Sequence, residues 1–138
     1  MVGYSYNIVN EWVDEHRGNF LALGNRRVEM GRIHMSAHQS NNLGVSLNVL
    51  KTVFPNRNVD YRKSGIGTAL LLTGVKWAES IGRTYLTGLY APDIPWDEDD
   101  ERWLNKRGIT MLNGGEIHGI VYLIIAACEM IQREQTQF

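Results

Sequence analysis

The stretch "VDYRKSGIGTALLLTGVKWAESIGRTYLTGLYA", residues 59–91, decides how this chain folds. Ile66, Ala69, Leu70, Thr73, Trp77 and Ile81 recur at helical spacing, which predicts a helix over 65–81. Gly82 follows as a residue able to take the left-handed conformation that ends helices. "RTYLTGLYA" (83–91) then reads as a strand, with Tyr85, Thr87 and Leu89 alternating. Upstream, "LGVSLNVLKTVF" (43–54) alternates with Val45, Leu47 and Val49 on one face. A strand, a helix and a strand in that order imply a parallel pair joined by a right-handed crossover.

The remaining elements extend outward from this unit. "NFLALGNRRVEMGRIHMSA" (19–37) reads as two strands about a turn at Gly24-Asn25, with the alternation slipping near Gly31. Residues 8–16 have the spacing of a short helix. "DEDDERWLNKRG" (97–108) reads as a helix with acids in its first turn, cations in its last and Gly108 as its stop. "ITML", "NGG" and "EIHGIVYLII" suggest a hairpin, while 121–134 fits a terminal helix equally well. The expected architecture is α+β, a mixed and mostly antiparallel sheet with a central parallel pair flanked by helices. It forms one domain over 1–138.

Composition narrows the setting. A length of 138 residues suits one domain with a real core, and 43% hydrophobic with 21% charged residues is ordinary globular composition. The net charge of −1 argues against broad nucleic-acid binding, leaving only a local basic patch such as Asn25-Arg26-Arg27 with Arg32. Cys128, the single cysteine, has no partner for an internal disulfide, so a reducing, cytoplasmic setting is expected. The first residues lack the basic segment and apolar core of a signal peptide. The longest apolar run, "IVYLIIAAC" (120–128), is too short to span a bilayer, so no membrane partner is expected. A homodimer is compatible with this composition.

The mouth of the helix raises a chemical question. Arg62 and Lys63 precede Ser64, Gly65 and Gly67 at a helix start. Helix starts carry unpaired N–H groups and a partial positive charge. Glycines let the backbone approach a ligand closely, so the segment has the parts of a phosphate cradle. A P-loop would place Lys-Ser after the glycines, and here they come before. A dinucleotide fingerprint needs a small residue at position 70, which is Leu, and a strand running straight into the turn. The pattern R-x-x-G-x-G is matched in full by 62–67. A plain helix-start turn is the competing explanation of the glycines.

With "RWLNKRGI" (102–109) following it, this stretch resembles the central region of the GCN5-related N-acetyltransferases, the GNAT superfamily. The resemblance implies that the R-x-x-G-x-G loop holds the pyrophosphate of acetyl-CoA, placing Arg62, Lys63, Ser64, Gly65, Ile66, Gly67 and Thr68 on that cosubstrate. It implies a backbone N–H near Val53 polarising the thioester carbonyl. The implied reaction is transfer of an acetyl group to an amine, on a small molecule or a protein, with no metal. The chain departs from the family where a tyrosine commonly serves as general acid, because that position is Leu104. Tyr90, at the end of the strand 83–91, is the substitute by position. The missing tyrosine also keeps open a non-catalytic binding or inhibitory module. A short acceptor region keeps open a macromolecular substrate.

The other candidates are weaker. Glu29 and Glu116 read as solvated strand residues, and either becomes a base if it faces a cleft. His34 and His38 lie four apart but at a strand end, without the Glu of a zinc-protease helix. They read as ordinary polar residues, with His34 the one placed to line an acceptor site. The acids of 97–101 read as a favourable first turn or as a lure for a cationic amine. Trp96 and Trp103 read as packing residues.

Overall fold

Ile66–Ser80 is helical (α1), as the spacing predicts. The structure is a computed structural model describing residues 5–52, 65–89, 98–112 and 115–136. Gly65 caps α1 at φ +83°, and Gly82, at φ +79°, follows its last turn. Its polar face is narrow, with Lys76, Glu79 and Ser80 exposed and most of the remaining surface covered. Leu70, Val75 and Trp77 are buried, and α1 packs on the sheet beneath and on the C-terminal helix above.

The sheet has seven strands: β1 (Asn7–Val13), β2 (Arg17–Leu23), β3 (Glu29–Ala37), β4 (Gly44–Thr52), β5 (Tyr85–Leu89), β6 (Ile109–Met111) and β7 (Glu116–Ile120). Their spatial order is β1-β2-β3-β4-β5-β7-β6. Among the described residues, only β4 and β5 pair in parallel; every other pair is antiparallel. The expected central parallel pair and the β6–β7 hairpin are both present. Two further helices follow, α2 (Glu98–Lys106) and α3 (Val121–Thr136). The segment 121–134 is therefore helix, and the hairpin stops at Ile120.

Four local readings need correction. Residues 8–16 are not a helix; they form edge strand β1 and a turn. Asp14 makes that turn, its Oδ1 accepting the amides of His16 (2.7 Å) and Arg17 (2.8 Å). Pairing with β2 overrides the helical spacing, and an edge strand that only partly buries Ile8 and Val13 shows little alternation. Val49 does not share a face with Val45 and Leu47. A bulge at Asn48 turns it over, so Leu47 lies opposite Met35 but Val49 opposite His34. On β5 the core residue is Leu86, and Tyr85 and Thr87 look to the other side. The strand predicted over 83–91 begins at Tyr85 rather than 83 and is β5 over Tyr85–Leu89, with 90–91 outside the described residues.

The core lies on one face of the sheet, where Phe20, Ile33, Met35, Val45 and Leu47 meet α1. The Trp77 indole N–H donates to the Asp14 carbonyl at 2.9 Å, pinning the end of α1 to the β1–β2 turn. The opposite face of β2–β4 is polar. Arg17, Asn19, Arg32, His34, Ser36, Ser46 and Asn48 lie there, none of them buried.

Candidate functional site

The β4–β5 ladder stops before its strands do, with Gly88 still lying against the Leu47 carbonyl. β4 and β5 pair at Gly44↔Tyr85, Val45↔Leu86 and Ser46↔Thr87 and no further, although β4 runs on to Thr52 and β5 to Leu89. The bulge at Asn48 follows directly and bends β4. A parallel sheet opens its crevices at the carboxyl ends of its strands. Since α1 leads from the end of β4 back to the start of β5, its N-terminus lies at that open end.

The first turn of α1 has the chemistry of an anion site. Ala69 donates to the Gly65 carbonyl at 3.0 Å as the helix begins, so the amides of Ile66, Gly67 and Thr68 come before the first intrahelical bond. Gly65, Ile66, Gly67 and Thr68 thus stand where the motif places them. The two glycines also have structural work. Gly65 takes a left-handed conformation, and a Cβ on Gly67 would lie 3.1 Å from the Trp103 ring. Trp103 of α2 therefore closes over the first turn of α1.

Arg107, just past α2, completes this corner. It is only 7% exposed. Its Nε and Nη2 donate to Thr68 Oγ1 (3.0 and 2.9 Å), its Nη1 donates to the Trp103 carbonyl (2.8 Å), and its guanidinium lies 3.8 Å over the Trp103 ring. Burial lowers its pKa from the ordinary range. No carboxylate pairs with it among the described residues. A desolvated cation with no counter-ion among the described residues, beside a helix N-terminus, suits a bound phosphate. Nearby Cys128 is buried, and its thiol is pushed up to about 11.

A second cluster lies on the polar face. His34 Nε2 is 2.6 Å from Glu11 Oε1, and Glu11 is the extra residue of a bulge in β1. His34 borders a pocket of about 250 Å³ with Arg17, Asn19, Met35, Ser36 and Asn48. The Asn48 amide donates to Ser36 Oγ, and Ser46 Oγ donates to the Asn48 carbonyl oxygen, both at 3.0 Å. Across the last paired position, Thr87 Oγ1 meets His38 Nε2 at 3.0 Å. The two histidines, four apart in sequence, thus have separate partners.

The other predicted residues are dispersed. Glu29 is paired with Arg32, so Arg32 does not join the 25–27 turn as a basic patch. Glu29 lies roughly 16 Å along β3 from His34 at about 3.3 Å per residue. Glu116 is bonded to His118 at 3.0 Å. Leu104 is buried in the core. Val53, Arg62, Lys63, Ser64, Tyr90 and Trp96 lie outside the described residues. Sequence reading missed Glu11, hidden in a supposed helix, and Asn48, whose bulge has no local signature. It also missed Arg107, which reads as one more last-turn cation.

With this geometry, solved structures similar to the chain include acetyltransferases. A GNAT-family acetyltransferase from Staphylococcus aureus Mu50 superposes with a TM-score of 0.61 at 14% identity, over 76% of this chain and 68% of that one. The PaiA N-acetyltransferase of Thermoplasma acidophilum, solved with coenzyme A, gives 0.59 at 16%, over 76% and 61%. Escherichia coli YhbS, also solved with CoA, gives 0.53 at 13%, over 75% and 58%. No protein-family model and no curated protein matches the sequence. The fold is the GNAT fold, and the seven-stranded sheet with its single parallel pair is that architecture. Among the described residues, no helix is long and apolar enough to cross a membrane.

Proposed function

We propose that the protein is an acetyl-CoA-dependent N-acetyltransferase acting on an amine-bearing acceptor. The observation that carries this reading is the end of the β4–β5 ladder after Ser46 and Thr87, with the N-terminus of α1 at the open end. The first-turn amides of α1 hold the pyrophosphate, and Arg107 adds positive charge behind them through Thr68. Arg62 and Lys63, just before α1 in sequence, supply further charge. The edge of β4 past Ser46, no longer paired with β5, offers backbone N–H groups to a carbonyl oxygen in the gap. Acetyl-CoA itself supplies a thioester carbon that an amine attacks.

A second reading rests on Leu104. With that position in the core, α2 offers no phenol there to protonate a leaving thiolate, as suits a module that binds CoA without turnover. Calorimetric titration with acetyl-CoA, followed by a thiol-release assay with small amines and lysine peptides, tests both. Binding with release supports the enzyme, binding alone the module. Absence of binding overturns the shared site.

A further inference from the structure

We propose that His34, held by Glu11, is the base that takes the acceptor's proton; this rests on the acetyl-transfer reading. Glu11 ionised can only accept, so the His34 Nε2–H donates to it at 2.6 Å. That bond fixes the tautomer and leaves the Nδ1 lone pair free for a proton. The His34 side chain borders the pocket shared by Ser36 and Asn48. Asn48 is the bulge residue of β4, and its bonded neighbour Ser46 stands at the last pair with β5. His34 thus lies on β3, one strand spacing of about 4.8 Å from β4, whose far edge borders the gap. In this proposal water carries the proton across β4 from the gap to the imidazole.

The step balances. The amine nitrogen uses its lone pair to form a C–N bond to the thioester carbon. The C–S bond breaks with its electron pair on sulfur. The nitrogen sheds one proton to His34 Nδ1, which later passes it to solvent. The charged groups beside His34 are Glu11 from β1, bonded to it, and Arg17 from β2, which borders the same pocket.

A purely structural role, pinning the β1 bulge to β3, is the competing explanation. His34→Gln separates the two, because its amide can still donate to Glu11. Acetyl-CoA turnover would be followed by thiol release with spermidine, tyramine and a lysine peptide as probes. The expected result is a loss of ~10²–10⁴-fold in kcat, an unchanged KM for acetyl-CoA and loss of the near-neutral limb of the pH profile. Added imidazole should restore part of the rate to His34→Ala. A His34→Gln variant at full rate with the parent pH profile overturns the assignment and leaves acetyl transfer standing. A parent protein that neither binds acetyl-CoA nor releases thiol overturns both.

Discussion

Gly65 has two explanations, a backbone one and a ligand one, and a pair of substitutions separates them. Gly65 and Gly82 sit at almost the same left-handed φ, +83° and +79°, at opposite ends of α1. An alanine in that conformation costs roughly 1–2 kcal/mol. Loss of glycine's freedom in the unfolded chain returns about 0.4–1 kcal/mol. The net cost is then about 1 kcal/mol at each site, or a fall of about 3–5 °C in Tm for a domain of this size. Neighbours change this little. A Cβ on Gly82 meets nothing within 4 Å, and one on Gly65 meets the Gln135 side-chain oxygen at 3.2 Å, the end of a flexible chain. Gly65→Ala and Gly82→Ala should therefore melt alike. Calorimetry with acetyl-CoA should tell them apart, with Gly65→Ala losing at least about tenfold in affinity, 1.4 kcal/mol, and Gly82→Ala losing nothing. Equal affinities would reduce Gly65 to a turn residue and refute the phosphate argument. An undiminished Tm in both would refute the backbone argument.

Arg107→Met removes a desolvated charge together with its bonds to Thr68 and Trp103. Such exchanges of buried charge for apolar volume are often close to neutral for folding. The variant should melt near the parent but bind acetyl-CoA with about 10–100-fold lower affinity, a charge-assisted contact being worth roughly 1.5–3 kcal/mol; unchanged affinity would exclude Arg107 from the site. Backbone N–H bonds from His16 and Arg17 hold the Asp14 carboxyl below its usual 3.8. Its contribution is present above the unfolded value and lost as pH falls through the lower folded one. The Tm gap between parent and Asp14→Ala should thus be constant from neutral pH to about pH 5 and close in stronger acid; a gap that widens there would contradict it. Cys128, buried with its thiol near 11, should resist maleimide at pH 7.5 until the protein unfolds, and rapid labelling of the native state would place it elsewhere.

The middle of the chain was legible because its signals are local. A helical spacing of apolar residues, a stop glycine and two alternating runs require no knowledge of the rest of the fold. β1 was not legible. "NEWVDEH" has helical spacing, and only pairing with β2 and the Asp14 turn make it a strand. The Asn48 bulge escaped for a related reason. It adds one residue without any glycine or proline to mark it, and the alternation of 43–54 continues in sequence while its faces exchange in space. The candidate site mixes both kinds of information. The glycines at 65 and 67 announce a helix mouth, whereas the Glu11–His34 bond joins residues 23 apart in sequence. Only the sheet brings them together.

Leu104, where the family resemblance implies a tyrosine, carries a further test. Trp103, Leu104 and Arg107 share one side of the end of α2, since residues three and four apart are neighbours on a helix. Trp103 lies against Gly67, Arg107 reaches Thr68, and Leu104 is 3% exposed in the core. A side chain at 104 therefore points into packed apolar atoms. If the acetyl-transfer reading holds, supplying the absent phenol by Leu104→Tyr should not create a general acid. The larger ring should overpack the core at a cost of about 1–3 kcal/mol, with a hydroxyl added that needs a partner. Thermal melts should show the loss, and thiol-release kinetics should show no gain in kcat. A Leu104→Tyr variant that keeps its Tm and turns over faster would mean that position 104 reaches the thiolate, and that α2 presents to the cleft the side placed here in the core.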